Sequence, residues 1–427
     1  MIIILFVIMF SLIAFGVDIW ISMGFSGIVY ILLRGDVSLR LIASQMVAGV
    51  SPDTLLAIPF FIMVGNLMGE SGITKKLLKF ANYFVGKYRA GLAYVSIVVS
   101  VFLAGVSGSA VSDASTTSAV LQPIMDERGY DREYGASINA SSACVGPIIP
   151  PSIPMVNVGV ISGISIGKMF MGGYIPGLLM AVGLWILCTI QAKKRDYPAV
   201  KVERSAKIFW QLLKETWLAL LTPVIIIVGV ITGFVTITEV AVLANIYVLV
   251  ISIFVYKSIN FKSFINAMKN TAVFVCSLMM IFAVVGIFQY IVSSEQLGEQ
   301  LLRLVMNLHM SKISFLLFCT VFFLLMGCVL DAVPVILIFF PVLLPIATTL
   351  GIDPVHFGVI TVLNLMIGLI TPPVGAILFV ETKVAKIDIN TLLKEIWPHI
   401  LVLYGVLLLI TFIPGLVTFL PNLVFKG

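Results

Sequence analysis

The segment Gly146-Pro147-Ile148-Ile149-Pro150-Pro151 puts a Pro-Pro pair inside an apolar stretch, and Thr371-Pro372-Pro373 puts a second pair 222 positions later. Other glycines, prolines and small residues recur at the same offset. These include Gly105 with Gly327, Ala110 with Ala332, Pro123 with Pro345, Gly129 with Gly351, Asp131 with Asp353 and Gly146 with Gly368. Because the matches fall mainly on glycine and proline, they indicate that one backbone shape is built twice.

Composition places this chain in a membrane. Of its 427 residues, 60% are hydrophobic and 11% are charged, with a mean hydropathy of +1.15, whereas soluble domains carry about 25% charged residues. Apolar runs such as Met1–Leu33, Ala219–Phe234, Val240–Tyr256 and Leu401–Phe425 suit spans of roughly 20 residues. The first run lacks a basic segment and a cleavage site, so we expect a retained helix. The fold class expected is an all-α polytopic membrane protein.

The net charge of +6 comes largely from short loops. One basic cluster lies between two hydrophobic blocks and, by the positive-inside rule, predicts a cytoplasmic connector. A second basic loop, Lys75–Arg89, does not fit a simple alternating topology, so the sidedness of the termini stays open. We expect no nucleic-acid partner, since nothing else in the chain has a soluble composition. The connector cluster contains Lys193, Lys194, Arg195, Lys201, Arg204, Lys207 and Lys214.

The repeat divides the chain into residues 1–190, a connector at 191–214, and residues 215–427. Each half opens with scaffold spans and amphipathic segments, which more often lie along the interface or brace a scaffold than cross the bilayer. A hairpin and a helix broken at the Pro-Pro pair follow. The amphipathic segments are Ser38–Val50, Ile73–Lys87, Phe261–Asn270 and Glu295–Met310; the hairpins are 105–125 and 327–347, and the broken helices are 135–165 and 355–380.

The two hairpins are predicted to be re-entrant. Gly105–Asp113 and Gly327–Pro334 each interrupt an apolar helix, and about a dozen apolar residues follow before a polar loop. That length is too short for a second full span. If an odd number of spans separates the copies, the repeats are inverted, and we expect this arrangement.

Each half is predicted to contribute one cage of oxygen ligands. Non-helical backbone at membrane depth survives only where it is buried in protein or lines a water-filled cavity. Carbonyls freed at hairpin tips and helix breaks suit a small hard cation, so we expect sodium or a proton rather than a transition metal. The first cage comprises Ser107, Ser109, Gly146, Ile149 and Pro151; the second comprises Val329, Asp331, Gly368, Thr371 and Pro373.

The space between the cages is the expected substrate site. Amides, hydroxyls and helix N-termini can bind a carboxylate and hydroxyl groups without a buried arginine. The candidates are Asp113, Thr116, Asn139, Ser142, Asn157 and Asn364.

Simpler interpretations of these residues stay open. The hairpin serines could be small packing residues of the kind common between membrane helices. Asp331 and Asp113 could each be a helix N-cap, and Glu239 could simply begin a scaffold helix. An ionisable group at membrane depth is nevertheless a functional candidate by default.

At these motifs the chain resembles the large membrane subunit of tripartite ATP-independent periplasmic (TRAP) transporters over essentially its whole length. The resemblance is carried by Gly105–Asp113, Gly129-Tyr130-Asp131, Gly146–Pro151, Asp331 and Thr371-Pro372-Pro373. It implies an elevator-type, sodium-coupled importer of organic acids in the bacterial inner membrane, with no cofactor besides the coupling ion. The overall likeness is to the sialic acid branch. It also implies a periplasmic substrate-binding protein and a small four-helix membrane subunit, expected as a separate chain because no such segment precedes the first span.

Other functions are alternatives to this one. A TRAP importer of a C4-dicarboxylate or sugar acid, or a stand-alone sodium/dicarboxylate symporter, would have the same architecture; the symporters carry a Ser-Asn-Thr type signature where this chain has Ser107-Gly108-Ser109. An enzyme is disfavoured because His309, His356 and His399 stand alone and the GxSxG elbow is incomplete. A passive channel is disfavoured because filters usually rely on oligomeric symmetry.

Overall fold

A computed structural model of the protein describes residues 2–35, 37–107, 109–197 and 205–425, without the side chains of residues 39 and 103–107. Within these ranges the chain is helical and contains no strand. Helices suit a membrane protein because the hydrocarbon core offers no hydrogen-bond partners, and a helix satisfies its own backbone groups. The helices are α1 Ile2–Ala14, α2 Ile19–Arg34, α3 Leu39–Val50, α4 Ala57–Glu70, α5 Ile73–Val85, α6 Gly91–Ser107, α7 Ala110–Glu127, α8 Arg132–Ala143, α9 Ile153–Ser162, α10 Ile166–Lys194, α11 Ala206–Thr232, α12 Ile237–Val250, α13 Phe261–Ser294, α14 Leu297–Asn307, α15 Lys312–Val329, α16 Ala332–Thr349, α17 Pro354–Gly368, α18 Ala376–Ala385, α19 Ile389–Phe412 and α20 Gly415–Val424.

Nine helical segments within the described ranges are long and apolar enough to cross a membrane. Five of them lie between the two hairpins, and an odd number is what an inverted repeat requires. These five are Arg132–Ser162, Ile166–Lys194, Ala206–Thr232, Ile237–Val255 and Phe261–Ser294.

The helix boundaries follow the sequence repeat. Helices α7 and α16 begin at Ala110 and Ala332, and α8 and α17 begin at Arg132 and Pro354, so both pairs keep the 222-residue offset. The broken helix of the first repeat is interrupted between α8 and α9, and that of the second repeat between α17 and α18. Both Pro-Pro bonds, Pro150-Pro151 and Pro372-Pro373, are cis.

The hairpin arms are longer than expected. Helices α7 and α16 each have 18 residues, so the sequence argument that these arms are too short to span a membrane is wrong. Each helix continues past its apolar residues into the start of the polar loop, and so exceeds the dozen residues expected. The pairs α6–α7 and α15–α16 are re-entrant hairpins because their tips meet inside the core. If each pair crossed the membrane fully, the inversion of the repeats would place the two turns at opposite membrane surfaces.

Each repeat completes the core of the other. The helix after the first break, α9, packs against α16 of the second hairpin, and the helix after the second break, α18, packs against α7 of the first hairpin and against α8. The segment through α8 and α9 is almost entirely buried. This exchange makes the hairpins and broken helices one packed body.

The scaffold differs from the sequence expectation at three places. The opening stretch is two helices, α1 and α2, of 13 and 16 residues, packed against each other rather than forming one long span. The segment Phe261–Asn270 is no separate arm but the start of the 34-residue α13. The last span, α19, begins at Ile389, before the apolar run at Leu401.

The connector is shorter than the sequence suggested. Helix α10 continues to Lys194 and α11 begins at Ala206, so helices occupy both ends of the 191–214 segment, and residues 198–204 lie outside the described chain. Helix α12 begins with a capping box in which Thr236 and Glu239 satisfy each other's backbone amides. The expectation that Glu239 begins a scaffold helix is confirmed.

Candidate transport site

The tips of the two hairpins face one small cavity in the core. Ser109 and Asp331 line it from the tips, Pro147 and Leu369 line it from the two helix breaks, and Phe274 of α13 lines it from the scaffold. Its volume is about 30 Å³, and one water needs roughly 10–15 Å³. The fold therefore brings a residue of each predicted cage to one point, at a size suited to an ion or a water.

The second hairpin packs backbone to backbone against its broken helix. A Cβ atom on Gly368 would lie 2.6 Å from the carbonyl carbon of Gly327, so glycine is required for this approach. The backbone amide of Gly375 donates to the carbonyl oxygen of Cys328 over 3.1 Å. These contacts hold the tip that carries the second predicted cage against the second break.

The residues of the second cage differ in exposure. Asp331 is exposed at the tip and accepts a hydrogen bond from the Ala332 amide over 2.7 Å as the N-cap of α16, so the N-cap interpretation is confirmed for it. Thr371 is buried and donates to the Ile367 carbonyl. Val329 is 44% exposed and Pro373 is exposed, which leaves this break open on one side.

The first cage is only partly described. Ser109 is the N-cap of α7 and accepts from the Ser112 amide over 3.4 Å, whereas the side chain of Ser107 lies outside the described part of the chain. Asp113 is in the first turn of α7 rather than at its cap, so the N-cap interpretation of Asp113 is wrong. Ser109 is the N-cap residue instead, because its hydroxyl can accept a hydrogen bond from a free backbone amide of the first turn.

The break of the first repeat is buried. Residues Gly146–Ile148 form a short 3-10 turn, and Ile149 and Pro151 are buried beneath α10. Gly173 and Gly177 of α10 let its backbone contact Ile148 and Ile149, because a Cβ at either glycine would overlap them. Small residues four apart are typical of close helix packing in membranes.

The two breaks share one turn geometry. The amide of Ile149 donates to the Gly146 carbonyl over 3.0 Å, and the amide of Thr371 donates to the Gly368 carbonyl over 2.9 Å. These four residues are exact counterparts at the 222-residue offset. Each carbonyl keeps a second lone pair that could face a cation.

A larger polar crevice lies between α7 of the first hairpin and the scaffold helices α4 and α13. Its volume is about 310 Å³, and it is lined by the predicted substrate residues Asp113 and Thr116 together with Asn66, Glu70 and Asn270. Ser109 lines both this crevice and the small cavity. Pockets for small molecules begin at roughly 300 Å³, so the crevice has room for a small organic solute.

Two predicted substrate residues lie in a buried hydrogen-bond network. The hydroxyl of Ser96 donates to Oδ1 of Asn139 and is bonded to Ser142, each over 2.8 Å. Nδ2 of Asn139 donates to Ser118 over 3.3 Å, and the Ser118 hydroxyl donates to Oε2 of Glu381 over 2.7 Å. The network joins α6, α7, α8 and α18.

Sequence reasoning missed Glu381 and Ser96. Glu381 is fully buried, and its position in the apolar segment after the second break was the available signal, because an intramembrane carboxylate is costly to bury. Its partner Ser118 is 263 residues away in sequence, which no local pattern could reveal.

Asn157 and Asn364 are fully buried on α9 and α17. Neither amide atom of Asn157 has a hydrogen-bond partner among the described residues, and Oδ1 of Asn364 also lacks one there. Nδ2 of Asn364 donates to the Ile360 carbonyl. Buried amides in this state are available to a ligand or to water, and their role in substrate binding stays a prediction.

The geometry can be compared with known proteins. Residues 6–416 match the family described as Tripartite ATP-independent periplasmic transporter, DctM component. The chain belongs to this family. The SiaM large permease of the sialic acid TRAP transporter of Vibrio cholerae is 35% identical over 408 residues, 96% of this chain and 95% of that protein. The C4-dicarboxylate TRAP large permease DctM of Rhodobacter capsulatus is 30% identical over 434 residues, 98% of each.

The fold is shared with a solved transporter as well. The crystal structure of the YdaH transporter of Alcanivorax borkumensis matches with a TM-score of 0.64 over 88% of both chains, at 16% identity; at that identity the likeness shows the fold alone. As a TRAP large permease with nine candidate spans in its described ranges, the chain is a multi-pass protein of the bacterial inner membrane. The expectation of a transporter rather than an enzyme agrees with these relatives.

Proposed function

We propose that this TRAP permease uses sodium to drive the import of an organic acid that a periplasmic protein delivers. The observation that carries the proposal is the meeting of both hairpin tips and both helix breaks at one cavity. Broken helices at the centre of a repeat-built core are where transporters bind substrates and coupling ions.

The residues at the two breaks suit sodium. Backbone carbonyls, the Asp331 carboxylate and the Thr371 hydroxyl supply hard oxygen ligands, and in the described ranges no cluster of histidine, cysteine and acidic side chains suits a heavier metal. Two carboxylates, Asp113 and Glu70, line the polar crevice. An organic anion entering there would be repelled unless bound cations offset them, which is a physical reason for coupling to sodium.

An elevator motion is supported by how the molecule divides. The hairpins and broken helices are interlocked through α9 and α18, whereas a polar crevice lies between α7 and the scaffold helices α4 and α13. We propose that the interlocked core slides along this crevice against the scaffold. Since the tip cavity holds only about 30 Å³, the tips must separate before an organic acid can sit between them.

Sialic acid is our first candidate substrate, with a C4-dicarboxylate or a sugar acid as the alternative. The relatives named for sialic acid and for C4-dicarboxylates are 35% and 30% identical to this chain, and both substrates carry carboxylates. We propose as partners a small membrane subunit on a separate chain and a soluble binding protein.

The test is uptake of labelled sialic acid into proteoliposomes that hold this chain and its small partner. Inward sodium and potassium gradients are compared, each with and without the binding protein. Uptake that needs both sodium and the binding protein is expected. Sodium-driven uptake without the binding protein would favour a stand-alone symporter, and success only with a C4-dicarboxylate would replace the substrate while keeping the mechanism.

A further inference from the structure

Glu381 is a buried acid without a charged partner. Its side chain is fully buried on α18; Oε2 accepts one hydrogen bond from Ser118, and Oε1 has no partner among the described residues. An ionised carboxylate in such a place needs several donors or a cation to offset its lost hydration. One neutral hydroxyl is too little, so the arrangement favours the protonated acid.

The neighbouring helices supply no countercharge. Helix α18 packs against α7, α8 and α19, and none of their titratable groups is hydrogen-bonded or ion-paired to Glu381 in the described structure. Lys383 shares α18 with Glu381 and likewise forms no such bond with it. The titratable groups of these three neighbouring helices are Asp113, Asp126 and Glu127 on α7, Arg132, Glu133 and Tyr134 on α8, and Lys394, Glu395, His399 and Tyr404 on α19.

A chain of buried hydrogen bonds ends at Glu381. The Ser96 hydroxyl donates to Oδ1 of Asn139 and is bonded to Ser142, whose hydroxyl also donates to the Asn139 backbone carbonyl over 3.2 Å. Asn139 then donates to Ser118, and Ser118 donates to Glu381. The carboxyl group at the end of this chain therefore has one hydroxyl at Oε2 and no bond at Oε1 among the described residues.

The chain of bonds also connects Glu381 to the first break. Ser142 lies four residues before Gly146, so the network runs from α18 of the second repeat to the break of the first. A change of charge at one end would reorganise the bonds at the other, since hydrogen bonds in a buried chain polarise one another.

We propose that Glu381 is a proton-binding site of the transport core, separate from the sodium cages, and that uptake requires this proton to be bound. A proton fits better than a second metal ion because the Ser118 hydroxyl is the one oxygen bonded to this carboxyl group among the described residues, whereas sodium needs a shell of oxygens. Loss of the proton would leave an ionised carboxylate with one hydrogen-bond donor inside the interlocked helices, which is costly because the charge has lost its hydration. Uptake should therefore fall as pH rises.

The first measurement needs no substrate and no sodium. Infrared spectra of the purified complex should contain the carbonyl stretch of a protonated carboxyl group that E381Q removes and that the matched variant E127Q, on an exposed residue, retains. No difference between E381Q and wild type would mean that Glu381 is ionised, which overturns the proposal even if sodium-driven uptake is intact.

The second measurement is the pH profile of uptake with the same pH on both sides of the membrane and a fixed sodium gradient. The uptake rates of wild type and E127Q should fall at least about tenfold between acidic and alkaline pH. The uptake rate of E381Q should not change with pH, because glutamine is neutral and keeps the bond to Ser118. A wild-type profile in E381Q would contradict the proposal.

Ser118→Ala provides a second variant should E381Q fail to assemble. It removes the single donor that stabilises the ionised form, so the fall in uptake should move to higher pH. An unchanged profile would mean that the proton sensed by uptake is not on Glu381.

Discussion

In the first repeat the hairpin arm α7 has the sequence AVSDASTTSAVLQPIMDE, whereas its counterpart α16 has AVPVILIFFPVLLPIATT. The two helices start at equivalent positions and have the same length, yet one lines a polar crevice and the other is almost wholly apolar. The repeat therefore preserves backbone shape while the side chains have diverged. We infer that the crevice side chains favour substrate entry beside the first hairpin.

The two breaks also differ in their surroundings. The first is covered by the glycines of α10, whereas Pro373 and Val374 at the second are exposed. The loop aspartates before the broken helices differ in the same way. Asp353 caps α17 through the amides of Val355 and His356, whereas Asp131 makes no cap bond and instead binds Arg195 and Tyr197.

Arg195 links the first repeat to the last span. Its guanidinium lies 3.1 Å from Asp131 and also pairs with Glu395 of α19. Partial burial disfavours the charged form, but the hydrogen bonds to Glu395 and Tyr197 and the negative charge of Glu395 outweigh it, so the pKa of Arg195 is raised. The first repeat is thus anchored by side chains where the second uses a backbone cap.

The largest effect is expected from Gly368→Ala. The added Cβ would lie 2.6 Å from the Gly327 backbone, and because backbone cannot yield as a flexible side chain can, the second tip should separate from its break. We expect sodium-driven uptake to fall at least about tenfold, measured in proteoliposomes at matched protein levels. Gly405→Ala, at a helical glycine with open space around its Cβ position, is the control and should behave as wild type. Equal activity in both variants would refute a tight second cage.

A smaller effect is expected from Asp331→Asn. Asparagine still caps a helix, so the bond to the Ala332 amide can persist while the negative charge is lost. The sodium concentration for half-maximal uptake should rise by about tenfold, which corresponds to roughly 1.4 kcal/mol. Asp53→Asn, at an exposed residue, controls for the change of charge. Wild-type sodium dependence in Asp331→Asn would remove this residue from the second cage.

The double variant Ser107→Ala/Ser109→Ala tests the first cage. Loss of the Ser109 cap costs about 1 kcal/mol, and loss of hydroxyl ligands should weaken the sodium response by a few fold, less than the loss of a carboxylate. Ser165→Ala removes a cap from α10 and should leave sodium dependence unchanged. If both variants respond to sodium as wild type does, the hairpin serines are packing residues.

The smallest effect is expected from Arg195→Lys. Lysine keeps the charge but cannot pair with Asp131 and Glu395 together, and at 29% side-chain exposure the loss should be below about 1 kcal/mol. A drop in melting temperature of about one degree with unchanged sodium affinity is expected, because the unfolding entropy of a long chain is large. Arg303→Lys, whose side chain is 78% exposed, should melt as wild type; a change in sodium affinity for Arg195→Lys would show that this anchor acts on the cages.

The sequence was informative where backbone chemistry dictates structure. Glycine and proline at one fixed offset located both tips and both breaks, because few other residues allow those conformations. Amphipathic patterns were less reliable. The polar residues at the start of α13 resembled an interfacial arm, but Thr271 accepts a hydrogen bond from Asn66 and Asn270 lines the crevice. A polar face turned toward a neighbouring helix has the same period as one turned toward water.

Contacts between the repeats could not be predicted. The approach of Glu381 to Ser118 depends on α18 packing against the opposite hairpin, and the exposure of Pro373 depends on which helix covers which break. Neither is encoded within one segment. Asn139 and Ser142 are predicted substrate residues, and their bonds to Ser96 of α6 are set by tertiary packing that no local pattern reveals.

Binding of radioactive sodium to the purified permease complex tests the central claim most directly, since it requires neither substrate nor binding protein. Wild type, Asp331→Asn and Ser107→Ala/Ser109→Ala are compared over a range of sodium concentrations, with potassium as the balancing cation. We predict two classes of sites in wild type, with the affinity of one weakened in each variant. Wild-type binding in both variants would contradict the assignment of the two hairpin tips as sodium cages.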